Sequence, residues 1–191
     1  MHGGGLPAPP SSANAVLCTQ VAFMACAYGD AFLSGDLDAG KAHISAVLDH
    51  SRRSLVSVVI GLLAWVSLVK LELHRPASGA AYRLALASLS GLGIVTTAAV
   101  RESGNFPVHA VAACTAFGAA ILLTWFLVAD ETSLRRAQLL TVVCVITGGL
   151  QFAYLGGLVD KAQFPSWMLV LGEFVMVVLF GYTISVAPSK L

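Results

Sequence analysis

The chain has 191 residues, of which 57% are hydrophobic and 11% are charged. Soluble domains carry charge on roughly a quarter of their residues, so this composition excludes an ordinary soluble domain and predicts a protein that is solvated by lipid. The formal net charge is +1 and the basic residues are scattered along the chain, which excludes the basic patch that a nucleic-acid partner would require.

The first part of the chain contains one predicted span and one predicted loop. Residues 1–12 are rich in glycine and proline and predict an irregular tail without the positive region of a signal peptide. Residues 13–33 have the length that a membrane-crossing helix needs, about 20 mostly apolar residues. Asn14, Gln20 and Asp30 fall within this segment, so a helix lying at the membrane interface is the alternative there. Residues 34–53 are rich in charge and predict a solvated loop.

Five further apolar segments follow in chain order, and the chain closes with a short tail at residues 188–191. The two shorter segments gain length from Lys70, Arg83 and Arg101, whose aliphatic stems can reach the interface. The predicted spans are residues 54–69, 84–100, 108–129, 139–159 and 167–187.

The six apolar segments predict an all-α, polytopic membrane protein, a six-transmembrane-helix bundle with both termini on one side. The basic residues divide almost equally between the two sides. The positive-inside rule therefore gives only a weak preference for cytoplasmic termini. It does not distinguish an endomembrane from a plasma or organellar membrane.

Polar groups gather near one face of the predicted bundle. Glu173 lies about 9 Å along the last helix from its start, at 1.5 Å per residue, and it is the acidic residue deep inside a predicted span. Gln151 reaches a similar depth, and His109 begins the fourth span on the same face. Arg101 and Asn105 flank the connection before that span. Because an unpaired charge inside a membrane is costly, we expect these residues to form one polar layer in which Glu173 is hydrogen-bonded.

Three interpretations of this polar layer remain open. Hydrogen bonds between helices are common in membrane bundles and can be purely structural. The layer is alternatively a binding site for a ligand or a lipid head group, and proton transfer between Glu173 and His109 is the third interpretation.

Other residues give no sign of catalysis or of a metal or cofactor site. No serine has the surroundings of a nucleophile elbow, and no two histidines within a span are four residues apart. Glycines of the third and fifth spans predict close helix packing, and they are Gly91, Gly93, Gly148, Gly149, Gly156 and Gly157. The cysteines lie in apolar runs and are expected to be reduced, and they are Cys18, Cys26, Cys114 and Cys144.

The segment GNFPVHAVAACTAFGAAILLTWFLVAD resembles the Frag/DRAM/Sfk family of six-helix membrane proteins. In that family an Asn-Phe or Phe-Pro element runs into a helix with an early histidine, a small residue and then phenylalanine. Glu173 resembles an acidic residue that is frequent in the family's last helix. Residues 43–47, HISAV, depart from the family's Ile-Ser-Asp element, because Ala46 stands in place of the aspartate. The matching residues are Asn105, Phe106, Pro107, His109, Ala113 and Phe117.

The resemblance implies a non-enzymatic protein that organises membrane lipids or regulates autophagy, with membrane lipids as partners. Fold does not select among such tasks. One alternative is an accessory structural subunit of a large membrane complex, with other membrane protein subunits as partners. A second alternative is a small transporter or membrane enzyme that uses Glu173 and His109, although the chain lacks the internal repeat typical of many transporters. No cofactor is expected.

Overall fold

A computed structural model describes residues 10–35, 51–75, 78–100, 103–155, 157–160 and 167–187. Within these ranges the chain forms α-helices and no β-strand. The helices are α1 (Pro10–Leu33), α2 (Ser51–Leu73), α3 (Ala80–Ala99), α4 (Phe106–Phe126), α5 (Glu131–Leu155) and α6 (Trp167–Ser185). The prediction of an all-α chain is confirmed for the described residues. Most of the predicted first loop, the C-terminal tail and Arg101 lie outside them.

Five of the six described helices are long and apolar enough to cross a membrane, and they are α1, α2, α4, α5 and α6. Large apolar side chains also cover the outside of the described helices, as at Val111 and Val145, each 67% exposed. Such an apolar outer surface is typical of a protein whose solvent is lipid. Helix α3 is less apolar because it carries Arg83 and four serine and threonine residues. That all six helices span the membrane stays a prediction.

The helices are longer than the apolar segments where charged residues extend them. Helix α2 continues through Lys70 and Glu72 to Leu73, beyond the predicted end at residue 69. Helix α5 begins at Glu131, well before the predicted start at residue 139. Hydropathy marks where a helix stops being apolar, whereas the helix itself ends where its backbone hydrogen bonds end.

The helices pack mainly against their neighbours in the chain, from α1 to α4, and α6 packs between α1 and α5. Among consecutive helices that touch, α4 and α5 have the least extensive contact.

The bundle has two ends. The start of α1 and the end of α6 define one end, here called the terminal end, and the end of α1 and the start of α6 define the opposite end. One buried apolar cluster includes Leu71, Leu123 and Ile184, and another includes Met24 and Val177.

Only some of the glycines at which close helix packing was predicted allow two helices to approach each other. A Cβ on Gly93 would lie 2.7 Å from the backbone oxygen of Ala112, and one on Gly91 would overlap the indole of Trp65. Close packing at these two glycines is therefore confirmed. Gly148 and Gly149 have no atom within 4 Å of an added Cβ, so close packing there was a wrong prediction. Gly157 has a φ of 70° and follows the end of α5, and Gly156 lies outside the described residues.

Helix α5 begins with a reciprocal cap. Asp130 Oδ1 accepts a hydrogen bond from the backbone N–H of Ser133 at 2.7 Å, and the Ser133 hydroxyl accepts one from the backbone N–H of Asp130 at 2.9 Å. Two backbone donors that the first turn leaves without helical partners are thereby satisfied. This cap explains why the helix starts before its apolar stretch.

The cap predicts a pH-dependent start of α5. Hydrogen bonds from the backbone and then the hydroxyl of Ser133 lower the pKa of the Asp130 carboxyl below its usual value. Because the folded-state pKa is the lower one, the cap contributes stability above the unfolded-state pKa of about 4 and loses it as the pH falls through the folded-state pKa. We expect hydrogen-exchange protection of the Ser133 amide, corrected for the intrinsic rate, to fall as the pH is lowered below about 4 in detergent micelles.

The Asp130→Asn variant is the control for this pH dependence. Asparagine caps helices about as well as aspartate but does not titrate. Its protection should therefore stay constant over the same pH range. An equal loss in both proteins would place the titrating group elsewhere.

Candidate functional site

Glu173 lies inside the bundle and is held by two other helices. Its side chain is 1% exposed. The Tyr28 hydroxyl on α1 donates a hydrogen bond to Glu173 Oε2, and Gln151 Nε2 on α5 donates one to Glu173 Oε1. The hydrogen bond between Gln151 and Glu173 that equal depth predicts is present. Bonds to both oxygens let a carboxylate lie in an apolar surrounding.

Tyr28 is a site residue that the sequence analysis missed. It lies near the end of α1, about 7.5 Å before Leu33 at 1.5 Å per residue. The end of α1 and the start of α6 lie at the same end of the bundle, so this depth is close to the roughly 9 Å of Glu173. Counting residues gives the depth of Tyr28 but not the side of α1 on which it lies. Tyrosine was overlooked because it is also an ordinary core residue, and its ring packs in the apolar cluster with Met24.

A small cavity of about 60 Å³ lies beside Glu173, enough for a few water molecules. Four helices contribute polar side chains to it: Gln20 from α1, Thr97 from α3, Gln151 from α5 and Glu173 from α6. Its other walls are apolar and are formed by Phe23, Ile94, Ala113, Ala116, Phe117 and Val177. The cavity is therefore mostly apolar, with polar groups from four helices converging on it.

Gln20 is the least expected polar group in this cavity. It is 3% exposed, and within the described part of the chain no hydrogen bond to its amide is found. Its stem packs against α6, where a Cβ on Gly181 would lie 3.1 Å from Gln20 Cγ. The close approach of the two helices thus holds the amide at the cavity wall. Since buried polar groups are nearly always hydrogen-bonded, to protein or to water, the partner of this amide is water or a ligand in the cavity.

A cleft of about 250 Å³ separates α4 from α5 and runs beside the cavity. It extends from Phe106 to Ile121, about 22 Å along α4. Most of its lining is apolar, and it has three residues in common with the cavity: Ala113, Phe117 and Gln151. The cleft and the cavity therefore adjoin, with the Gln151 amide at their junction.

No known protein family, curated protein or solved structure matches this chain.

The relation to the Frag/DRAM/Sfk family accordingly stays a prediction, and the function is argued from the chemistry of the site. The described residues include no group of three or more His, Cys, Asp or Glu side chains placed to hold a metal ion. The four cysteines are free. What the site offers is hydrogen bonding at the cavity and apolar contact along the cleft.

The remaining residues of the predicted polar layer, His109, Asn105 and Arg101, are not among the hydrogen-bond partners described for Glu173. His109 is buried, lines the cleft, and its Nδ1 lies 2.7 Å from the backbone oxygen of Val100. Asn105 is exposed, and its Oδ1 accepts a hydrogen bond from the backbone N–H of Val108 at 3.3 Å, so it caps α4. The structure brings Gln151 to Glu173 and His109 to the adjoining cleft, but it does not bring Asn105 into the buried layer. Arg101 lies outside the described residues.

A second buried acid corrects the expectation that Glu173 is the acidic residue deep inside the bundle. Glu72, at the terminal end of α2, is 1% exposed. Arg75 Nη1 donates to its Oε1 at 2.6 Å, and Arg83 Nε donates to its Oε2 at 3.0 Å. Arg75 also donates to the backbone oxygen of Ile184 at 2.7 Å. The sequence signal was the spacing of Glu72 and Arg75, three residues apart on one helix face.

This ion-pair cluster joins three helices at the terminal end. Glu72 belongs to α2, Arg83 to α3, and Ile184 to α6. All three charged side chains are buried, and the guanidinium groups also bond backbone oxygens. Such mutual satisfaction is typical of a structural cluster. The chemistry that can receive a ligand lies at the cavity near the opposite end.

Proposed function

We propose that this protein is a six-span membrane protein, with both termini on one side, that binds a membrane lipid in the cleft between α4 and α5. The apolar chain of the lipid lies along the cleft, and its polar end lies near Gln151. The proposal needs no catalytic group and has membrane lipids as its partners.

The packing of α3 supports a membrane crossing by all six helices. Gly91 and Gly93 bring α3 against α2 and α4, both of which are apolar enough to cross. The polar side chains of α3 include Arg83, Ser90 and Thr97, which are buried in the bundle. The Glu72 carboxylate forms an ion pair with Arg83. A helix with these interactions can cross a membrane without being strongly apolar itself.

The observation that carries the lipid proposal is the apolar cleft that adjoins a small cavity on which four polar side chains converge. Helices α4 and α5 have the least extensive contact among touching consecutive helices, which leaves the cleft between them. Binding sites are typically concave and apolar with a few convergent polar groups. A membrane lipid has this same division into apolar chain and polar end, and it can enter between the two helices from the bilayer.

The proposal agrees with the lipid-organising tasks that the resemblance to the Frag/DRAM/Sfk family implies. A lipid-binding protein of this kind differs from a transporter or enzyme that uses Glu173, because Glu173 here has a structural role. Here the carboxylate holds Tyr28 and Gln151 in place through hydrogen bonds, and no proton has to move.

A cleft-filling variant tests the proposal. Gly148 lines the cleft and has open space around an added Cβ, so Gly148→Phe places a ring in the volume that the lipid would occupy. We expect native mass spectrometry of protein purified in mild detergent to show bound lipid on the wild type and at least a tenfold lower occupancy on this variant. The reduction reflects the loss of apolar contact and of space for the chain.

The matched control is Gly149→Phe, one residue further along the same helix. Gly149 also has open space around an added Cβ and does not line the cleft. Its lipid occupancy should equal that of the wild type. Equal lipid binding by Gly148→Phe and the wild type would disprove the proposal, as would purification with stoichiometric protein subunits and no lipid.

A further inference from the structure

The central cavity shows which kind of lipid head group the protein can accept. This inference rests on the proposed function, since the lipid has to reach the cavity through the cleft. We propose that the bound lipid ends in a single uncharged hydroxyl group, which enters the cavity and hydrogen-bonds to Gln20.

The size of the cavity restricts the head group. With a volume of about 60 Å³, the cavity accepts a group comparable to a few water molecules. A phosphate that carries choline or ethanolamine is larger than this space. The wider cleft beside it, about 250 Å³, has the apolar walls that suit a hydrocarbon chain. The polar end that fits the cavity is therefore small.

The charge at the cavity restricts the head group further. Glu173 is one of its walls, and none of the described residues that line it is a lysine or an arginine. An anionic head group, such as a phosphate or a carboxylate, would face a carboxylate without a cation on the cavity wall. Like charges at short range are strongly unfavourable in an apolar surrounding. An anionic lipid is excluded on this ground.

The hydrogen-bonding capacity of Gln20 favours a hydroxyl over an ammonium. Each oxygen of Glu173 accepts one hydrogen bond, Oε2 from Tyr28 and Oε1 from Gln151, whereas no partner for the Gln20 amide is found in the described part of the chain. That amide offers two N–H donors and one oxygen acceptor. A hydroxyl can donate to the oxygen and accept from the N–H group, while an ammonium can only donate. A hydroxyl is thus a small uncharged group that can pair with both ends of the amide.

The cleft adjoins the cavity that Gln20 lines. The cavity and the cleft have Ala113, Phe117 and Gln151 in common. Ala113 has the smallest side chain of the three, and Gln151 provides a polar group where the two spaces adjoin. A hydroxyl that moves from the cleft into the cavity therefore passes one hydrogen-bonding amide before it reaches the second.

Photolabelling with matched competitors tests this assignment. The probe is an 18-carbon alcohol with a diazirine in its chain, added to purified protein in phosphatidylcholine nanodiscs, and the readout is labelling of α4 and α5 peptides. We expect unlabelled oleyl alcohol to displace the probe at about a tenfold lower concentration than oleyl methyl ether, which has the same chain and cannot donate a hydrogen bond. Oleylamine and oleate should compete more weakly than the alcohol.

The Gln20→Leu variant locates the hydroxyl. It should still be labelled, but the tenfold difference between alcohol and ether should fall to about one, with a melting temperature near that of the wild type. Gln20→Met, which keeps the length of the side chain, replaces it if leucine prevents folding. Cholesterol and dioleoylglycerol as competitors separate a sterol hydroxyl from an acylglycerol hydroxyl, and displacement by either that depends on Gln20 supports the proposal.

Three results would overturn the head-group assignment: an unchanged ratio of alcohol to ether in the Gln20 variants, stronger competition by oleylamine or oleate, or equal competition by alcohol and ether in the wild type. In each of these cases, if Gly148→Phe still abolishes labelling, the proposed lipid-binding cleft stands and only the head-group assignment fails. Labelling of α4 and α5 that is insensitive to Gly148→Phe would instead disprove the proposed function, and with it the inference.

Discussion

Replacing Glu72 with glutamine is expected to lower the free energy of unfolding by about 3–5 kcal/mol, the usual cost of removing one partner from a buried ion pair. The Glu72 carboxylate bonds both Arg75 and Arg83, and all three side chains are buried. Glutamine keeps the size of the side chain and one acceptor oxygen, but it removes the negative charge that offsets two guanidinium groups. Unfolding in mixed micelles of mild detergent and dodecyl sulfate measures the loss.

The exposed pair of Glu131 and Arg135 provides the matched control. Its side chains are 76% and 75% exposed, and the two atoms lie 2.5 Å apart. Exposed pairs four residues apart on a helix contribute about 0.3–0.5 kcal/mol, so Glu131→Gln should change stability by no more than that. A loss of similar size in both variants would contradict the structural role assigned to the buried cluster.

Replacing Gly93 with alanine is expected to destabilise the protein by about 1–3 kcal/mol, the usual cost of overpacking. The added Cβ would lie 2.7 Å from both the oxygen of Ala112 and the nitrogen of Ala116. These are backbone atoms of α4, so relief requires the two helices to separate. The effect opposes intrinsic propensity, because alanine is better than glycine in a helix by about 1 kcal/mol. The same unfolding measurement applies.

Gly118→Ala separates packing from propensity. Gly118 lies on α4, and an added Cβ there meets no atom within 4 Å. This variant should be as stable as the wild type or up to about 1 kcal/mol more stable. If the two alanine variants shifted stability in the same direction by the same amount, close approach at Gly93 would not explain the result.

Much of the fold follows from the sequence for a simple reason. A helix rises 1.5 Å per residue and the apolar core of a membrane is about 30 Å thick, so apolar length indicates the spans and counting from their ends indicates depth. This counting placed Gln151 beside Glu173, and the two are hydrogen-bonded. It failed at Asn105, because a residue just before a helix can cap the helix and stay exposed.

Charged residues near the ends of the spans were harder to interpret. Glu72 follows an apolar stretch and precedes Arg75 and Arg83 along the chain, and it lies beyond the predicted span that ends at residue 69. Its burial depends on α3 and α6 bringing Arg83 and the Ile184 oxygen to the same place. These contacts join residues far apart in the chain, and hydropathy, which is a local average, contains no information about them.

The sequence by itself determined the all-helical class, the approximate positions of the apolar helices and the depth of the polar residues along them. The tertiary structure alone decided which side of each helix faces inward, and so it revealed Tyr28 on Glu173, Gln20 at the cavity wall and the cleft between α4 and α5. The physical reason is the solvent. In water, apolar periodicity separates an inner from an outer helix face, but lipid is as apolar as the interior of a bundle. The rotation of each helix is therefore set by packing against its neighbours.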